Sequence, residues 1–118
     1  MIYNIKVMDD EHIVYKWVCK DLNIKDFYIG YTKNFDKRII SHKRSYNKTF
    51  KFHEGKKYNF VREKGGWDNW KFIEIASFEN MKDARDYERI LINALNPSLN
   101  CNGNNMYYIE KYYVTTHD

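Results

Sequence analysis

The sequence has few residues that break or cross-link a fold, and it has no long apolar segment. Among 118 residues there is one proline, and 18% are aromatic, which argues against intrinsic disorder. Cys19 and Cys101 stand apart without metal-binding spacing, as is typical of free thiols in a reducing compartment. No apolar run is long enough to span a membrane, and charged residues occupy 1–11 where a signal peptide needs an apolar core. We expect an intracellular protein of the cytoplasm or nucleus.

The length of the chain predicts one domain over 1–118, with its core at about 12–100 and a C-terminal extension at 101–118. Alternating apolar residues and helix caps predict the order β-β-α-α-β-α, in which Asn34 and Asn80 begin two of the helices. Additional strands are expected near both termini, at 1–8 and 107–114. The predicted strands of the core are 12–20, 26–32 and 69–78, and the predicted helices are 35–46, 57–64 and 81–95.

Positive charge is concentrated in the middle of the chain. Residues 33–64 contain eleven lysines and arginines against three acidic residues, a net charge of +8 in a chain whose total is +4. Such a segment can neutralise the phosphates of a nucleic acid, although a solvated basic face without a partner has the same composition. The residues expected to contact nucleic acid are Lys43, Arg44, Lys48, Lys51, Lys56, Lys57, Arg62 and Lys64.

Glu88 lies inside the apolar stripe of the last predicted helix. A carboxylate in that position is costly to bury unless something compensates its charge. Three environments would do so: an ion pair with Arg85, the mouth of a cleft, or a divalent cation. The apolar residues within about 60° of Glu88 around the helix are Met81, Ala84, Leu91, Ile92 and Leu95.

Arg38 and His42 are four residues apart on the first predicted helix and therefore share one face. An arginine fork suits a phosphate, and a histidine can pass protons near neutral pH. Such a pair is also common on ordinary helix surfaces, and Tyr15 and Tyr28 could be packing residues in a chain with 11 tyrosines. The same face is predicted to carry Asn34, Ser41 and Ser45, and the core-facing flank to carry Phe35, Ile39 and Tyr46.

The order of these residues resembles the GIY-YIG nucleases. That family carries a tyrosine motif, a Tyr-Ile-Gly motif, an arginine, a histidine, a helix glutamate and an asparagine. Here the second motif is intact at 28–30, where Gly30 is a supporting residue, and Arg38 follows Tyr28 by ten residues. His42, Glu88 and Asn100 then follow in order.

The first motif departs from the family pattern, because Ile13 replaces the usual glycine and Val14 replaces the isoleucine. That glycine takes no part in the chemistry, so the departure does not exclude activity, although it could restrict access near Tyr15. The resemblance extends from about His12 to Asn100, which is most of the chain.

The resemblance implies a small α+β domain, a three-stranded antiparallel sheet flanked by helices, that hydrolyses phosphodiester bonds of double-stranded or branched DNA. It implies that Glu88 is the protein ligand of one Mg²⁺ or Mn²⁺ and that Arg38 binds the scissile phosphate. Tyr15 would be the general base, with Tyr28 positioning the water or the phosphate. Because a free tyrosine has a pKa near 10, Tyr15 needs help from Arg38, the metal or His42.

Two supporting roles are also expected. Lys37 would add positive potential, and Asn100 would either orient Glu88 or tie the final loop to the active face.

Other functions remain open from the residues alone. A non-catalytic nucleic-acid-binding module could use the same fold and basic segment, and a protein-interaction domain could use the tyrosine-rich tail at 107–113. Residues 58–70 could either pack as an aromatic turn or contact nucleic acid by base stacking. The sequence is compatible with a monomer or a homodimer.

Overall fold

The predicted order of elements is confirmed in a computed structural model that describes residues 11–48 and 55–100. These residues form a three-stranded antiparallel sheet with three helices, an α+β fold. The strands predicted at 1–8 and 107–114 lie outside the described residues. A short 3₁₀ helix, Trp67–Asn69, precedes the last strand. The elements are β1 (His12–Cys19), β2 (Phe27–Thr32), α1 (Phe35–Lys48), α2 (Lys56–Glu63), β3 (Trp70–Phe78) and α3 (Met81–Leu95).

The helices begin and end where local side-chain chemistry predicts. Asn34 Oδ1 accepts a hydrogen bond from the backbone N–H of Lys37 at 3.0 Å, and Asn80 Oδ1 accepts one from that of Asp83 at 2.8 Å. These contacts satisfy N–H groups that a helix start leaves unpaired. Asn96 ends α3 with a left-handed backbone (φ 48°), and the proline that follows cannot continue the helix.

β1 is the central strand of the sheet, in the order β2-β1-β3. Its pairing with β2 places Tyr15 opposite Gly30 and Trp17 opposite Tyr28. The pairing with β3 is irregular between Val14 and Tyr15, where β3 contains one extra residue. A bulge of this kind bends a strand and re-aims its side chains. The irregularity therefore falls directly before the first tyrosine of interest.

Each face of the sheet carries its own apolar core. On the face covered by α2, Trp17 packs with Tyr58 and Trp70, while α3 covers the other face and buries Val14 and Ile29. Trp67 packs edge-on against Trp17 at 5.6 Å between ring centroids, which favours the packing interpretation of residues 58–70. In the parts of the chain described, no helix has the length and apolar character needed to cross a bilayer.

The predicted apolar stripe of α3 is wrong at two positions. Met81 is 52% exposed and Leu95 is 53% exposed, so neither surrounds Glu88 with apolar material. The fully packed positions are Ala84 and Ile92, three residues inside each end of the helix. Helical periodicity alone does not reveal which turns of a helix are covered by a neighbouring element.

Candidate active site

The pairing of β1 and β2 brings the Tyr15 phenol across Gly30. A Cβ atom placed on Gly30 would lie 2.5 Å from the Tyr15 hydroxyl oxygen and 2.9 Å from the Tyr28 ring. Real Cβ atoms do not approach other atoms so closely, so a side chain here would push Tyr15 away. Gly30 is required because it leaves room for Tyr15, and this gives the supporting role expected of it a physical cause.

Arg38 and His42, one turn apart on α1, both reach the Tyr15 hydroxyl. The Arg38 Nε–H donates to the Tyr15 oxygen at 3.3 Å, and that oxygen lies 2.8 Å from His42 Nε2. Arg38 also lies close enough to Tyr28 for its charge to lower the pKa of that phenol against the effect of burial. The structure thus brings two of the predicted residues, Arg38 and His42, onto the hydroxyl oxygen of a third, with the Tyr28 ring centroid 6.2 Å from that of Tyr15.

The most buried side chain of α1 is His42, which is fully buried. The flank predicted to face the core, Phe35, Ile39 and Tyr46, is partly buried: the Phe35 ring centroid lies 5.5 Å from that of Tyr15, and Tyr46 packs against the core cluster of Trp17. The helix therefore turns both this flank and the position of His42 towards the protein. A polar face can be buried here because the His42 ring nitrogens both have hydroxyl partners.

Tyr58 of α2 is a member of the site that the sequence interpretation missed. Its hydroxyl oxygen lies 2.8 Å from His42 Nδ1, and the Ser45 side chain lies close enough to lower the pKa of Tyr58 against the effect of burial. Tyr58 is 6% exposed and belongs to the same core cluster as Trp17. Neither the spacing nor the residue type identifies it, since the contact depends on how α2 packs beside α1.

Burial keeps the two central groups neutral. It raises the pKa of Tyr15 to about 12, and Arg38 opposes this shift without reversing it. Burial likewise lowers the pKa of His42 to about 3, and the positive charges of Arg38 and Lys57 lower it further. Arg38 therefore acts in the expected direction, but the resting pair is a phenol and a neutral imidazole.

Glu88 lies where its charge reaches the tyrosines. Burial raises its pKa to about 7, against the opposing effects of Arg85 and Arg38. Its carboxylate also adds to the effect of burial in raising the pKa of both Tyr15 and Tyr28. The Arg85 guanidinium lies 5.7 Å from the centroid of the Tyr31 ring. The positive charges of the two arginines therefore oppose the effect of burial on the pKa of Glu88 without cancelling it.

A single carboxylate is enough to hold a hard divalent cation. No group of three or more His, Cys, Asp or Glu side chains that could hold a metal comes together within 11–48 and 55–100. Mg²⁺ is commonly bound through one or two carboxylates and keeps several waters. Glu88 fits this pattern, and a cation beside it would oppose the effect of burial on its pKa in the same direction as Arg85 and Arg38 do.

Asn100 ties the final loop to β2. Its Oδ1 accepts from the Ile29 N–H at 2.7 Å, and its Nδ2 donates to the Ile29 carbonyl at 2.8 Å. Both the oxygen and the nitrogen of the amide thus bond to the backbone of one residue, which favours the loop-tying role over orientation of Glu88.

Lys37 is exposed in the first turn of α1.

The basic segment divides into two parts. Lys57 is partly buried, and its Nζ lies 4.9 Å from the centroid of the Tyr28 ring and 4.7 Å from that of the Tyr58 ring. Lys57 therefore borders the site itself, where its position along the sequence suggested only a backbone contact. Lys51 lies outside the described residues. The other predicted contact residues are exposed: Lys43, Arg44, Lys48, Lys56, Arg62 and Lys64.

Comparison with protein families identifies the class of the domain. The family defined as the GIY-YIG catalytic domain matches residues 11–105, which include the whole sheet, all three helices and Asn100. The chain belongs to the GIY-YIG family, and this membership implies a nuclease-type function on nucleic acid. Members of the family typically use a divalent metal. No curated protein and no solved structure matches the chain significantly.

Proposed function

We propose that this protein is a metal-dependent endonuclease that hydrolyses DNA phosphodiester bonds at the cluster around Tyr15. The observation that carries the proposal is the convergence of Arg38 and His42 on the Tyr15 hydroxyl, within 3.3 and 2.8 Å. A tyrosine that only filled the core would not need an arginine and a histidine on the same oxygen. Family membership supports the proposal independently.

Tyr15 acts as a general base that exchanges one proton for another. Because burial raises the pKa of Tyr15 to about 12, a free phenolate is not the resting species. Instead, the attacking water gives a proton to the Tyr15 oxygen while the Tyr15 proton moves to His42 Nε2, 2.8 Å away. Negative charge then never accumulates on Tyr15. After hydrolysis, the protonated His42 releases its extra proton to solvent and becomes neutral again.

Arg38 and Tyr28 position the phosphate and the water. An arginine has five N–H donors, and the contacts with Tyr15 and Tyr28 leave donors for a phosphate oxygen. Arg38 is partly buried, and a guanidinium in such surroundings stabilises a developing negative charge more strongly than one in open water.

Glu88 would hold the Mg²⁺ or Mn²⁺ ion. When bound, such an ion supplies Lewis-acid stabilisation of the leaving oxygen. The substrate backbone would lie along the exposed residues of the basic segment, which are contiguous with the site through Lys57.

Cleavage of double-stranded and branched DNA in Mg²⁺, against an EDTA control, tests the proposal. Tyr15→Phe should lower the single-turnover rate by roughly 10²–10⁴-fold, because it removes the proton-carrying oxygen and keeps the ring. Arg38→Lys should also impair cleavage, because it retains the charge and loses the fork. Tyr46→Phe is the matched control, since that hydroxyl accepts from the Trp67 N–H at 3.3 Å instead of joining the site.

Two results would contradict the proposal. Near-normal cleavage by Tyr15→Phe would exclude the mechanism. DNA binding without cleavage of any substrate by the wild-type protein would leave the non-catalytic nucleic-acid-binding module as the better interpretation.

A further inference from the structure

We propose that Tyr58 is a positioning residue that holds His42 in its Nδ1–H tautomer, with Nε2 turned to Tyr15 as the acceptor. The inference rests on the proposed function, because the tautomer matters only if Tyr15 passes a proton to His42. Tyr58 comes from α2 and lies in none of the motifs by which the chain resembles its family.

Counting donors and acceptors at Tyr15 gives the first step. Its hydroxyl oxygen has two hydrogen-bond partners in the described residues, Arg38 Nε and His42 Nε2. A guanidinium can only donate, so it cannot take the Tyr15 proton. His42 Nε2 is the remaining partner, and it accepts that proton only if it carries none itself.

The second step follows from the ring of His42. Burial lowers the pKa of His42 to about 3, so the neutral ring carries one N–H. With Nε2 unprotonated, the hydrogen is on Nδ1 and is donated to the Tyr58 oxygen at 2.8 Å. Tyr58 in turn can direct its own proton to the neighbouring Ser45 hydroxyl, which lies close enough to affect the pKa of Tyr58.

These contacts form one directed chain. It runs from Arg38 through Tyr15 and His42 to Tyr58, with Ser45 beside its end, and the Tyr15 hydroxyl in it both accepts and donates. Reversing His42 would put two donors on the Tyr15 oxygen and leave the Tyr15 proton without a partner in this part of the chain. His42 and Tyr15 are 0% and 1% exposed, so a hydroxyl proton left without an acceptor in the resting protein would cost free energy.

Tyr58 has a second effect when His42 becomes charged. Transfer of the Tyr15 proton to Nε2 makes an imidazolium, which is costly at a buried position. The Nδ1–H is already directed at the Tyr58 oxygen at 2.8 Å, and a hydrogen bond from a charged donor is stronger than one from a neutral donor. The contact that sets the tautomer therefore also stabilises the product of the transfer.

Nitrogen NMR of the histidine rings tests the tautomer without any need for activity. Long-range ¹H–¹⁵N spectra of the metal-free, DNA-free protein at neutral pH should report His42 protonated on Nδ1. In Tyr58→Phe, protonation should move wholly or partly to Nε2, whereas Tyr46→Phe should leave it unchanged. Protonation on Nε2 in the wild-type protein, or an unchanged tautomer in Tyr58→Phe, would overturn the proposal.

Cleavage rates supply the second readout. Tyr58→Phe should slow single-turnover cleavage at saturating DNA by about 10–10²-fold, the effect usual for residues that orient a functional side chain, with unchanged DNA affinity. Ser45→Ala should cause a smaller change in the same direction. Should Tyr58→Phe not fold, the wild-type tautomer and Ser45→Ala decide the question. A wild-type protein that cleaves no substrate would refute the proposed function. The NMR result would still decide independently whether Tyr58 sets the His42 tautomer.

Discussion

Glu88→Gln tests whether the Glu88 carboxylate on α3 destabilises the metal-free protein and binds a divalent cation. Burial raises the pKa of Glu88 to about 7, from the usual value of 4.5. The folded protein thus binds this proton more tightly than the unfolded chain does. The associated stability is fully present below about pH 4.5 and is lost as the pH rises through about 7. The difference corresponds to about 3 kcal/mol at most.

Thermal unfolding in EDTA between pH 4 and pH 8.5 measures this effect. Glutamine has the shape of the protonated acid, so Glu88→Gln should match the wild-type protein at the acid end and exceed it in melting temperature at the alkaline end. About 1 kcal/mol corresponds to roughly 4–8 °C in a domain of this size. Glu74→Gln, an exposed change on β3, is the matched control, and its melting temperature should show no such pH-dependent difference from the wild-type protein.

Addition of Mg²⁺ at the alkaline end should then raise the melting temperature of the wild-type protein in a concentration-dependent way and leave Glu88→Gln unaffected. Cleavage should be lost in the variant. A Glu88→Gln protein that is less stable than wild type at every pH, with EDTA-resistant cleavage in the wild type, would refute this reasoning and favour a structural ion pair with Arg85.

Two further predictions concern the geometry and the surface. Gly30→Ala should cost about 1–3 kcal/mol of stability by overpacking and should lower the cleavage rate strongly. In a protein that already carries Tyr15→Phe, the same change should lower the cleavage rate little further. An equal loss of rate in both backgrounds, with stability followed by thermal melting, would show that Gly30 does not act through Tyr15. Alanine at three exposed basic residues should weaken binding to all DNA sequences alike and flatten its salt dependence without changing the single-turnover rate, as fluorescence anisotropy across salt would measure, whereas alanine at three exposed lysines outside the segment should not. The test residues are Arg44, Lys48 and Lys56, and the controls are Lys20, Lys25 and Lys71.

Local chemistry explains which parts of the fold could be predicted from the sequence. Asn34 and Asn80 cap helices through contacts three residues away, and Asn96 with the following proline stops α3 within two residues. Strand alternation is equally local. These features depend on neighbours in the chain, so they were predicted correctly to within one or two residues.

The interior of the site could not be predicted because it depends on contacts between distant elements. Tyr58 meets His42 across 16 positions of sequence, and no periodicity within either helix indicates that the two rings touch. The burial of His42 follows from the same packing, and the helix sequence alone does not indicate it. The position of Lys57 over the Tyr28 ring likewise depends on how α2 packs and not on the charge pattern.

The contact of Asn100 with Ile29 has a consequence for solubility. Among the strands of the described residues, β2 lies at an edge of the sheet, and its outward N–H and C=O groups form a template on which another chain could add a strand. The Asn100 amide satisfies both groups of Ile29, and the Leu99 N–H donates to the Phe27 carbonyl at 3.1 Å, so the loop imitates a fourth strand. The strand that carries Tyr28 and Gly30 is thereby shielded from edge-to-edge aggregation by two residues of a loop.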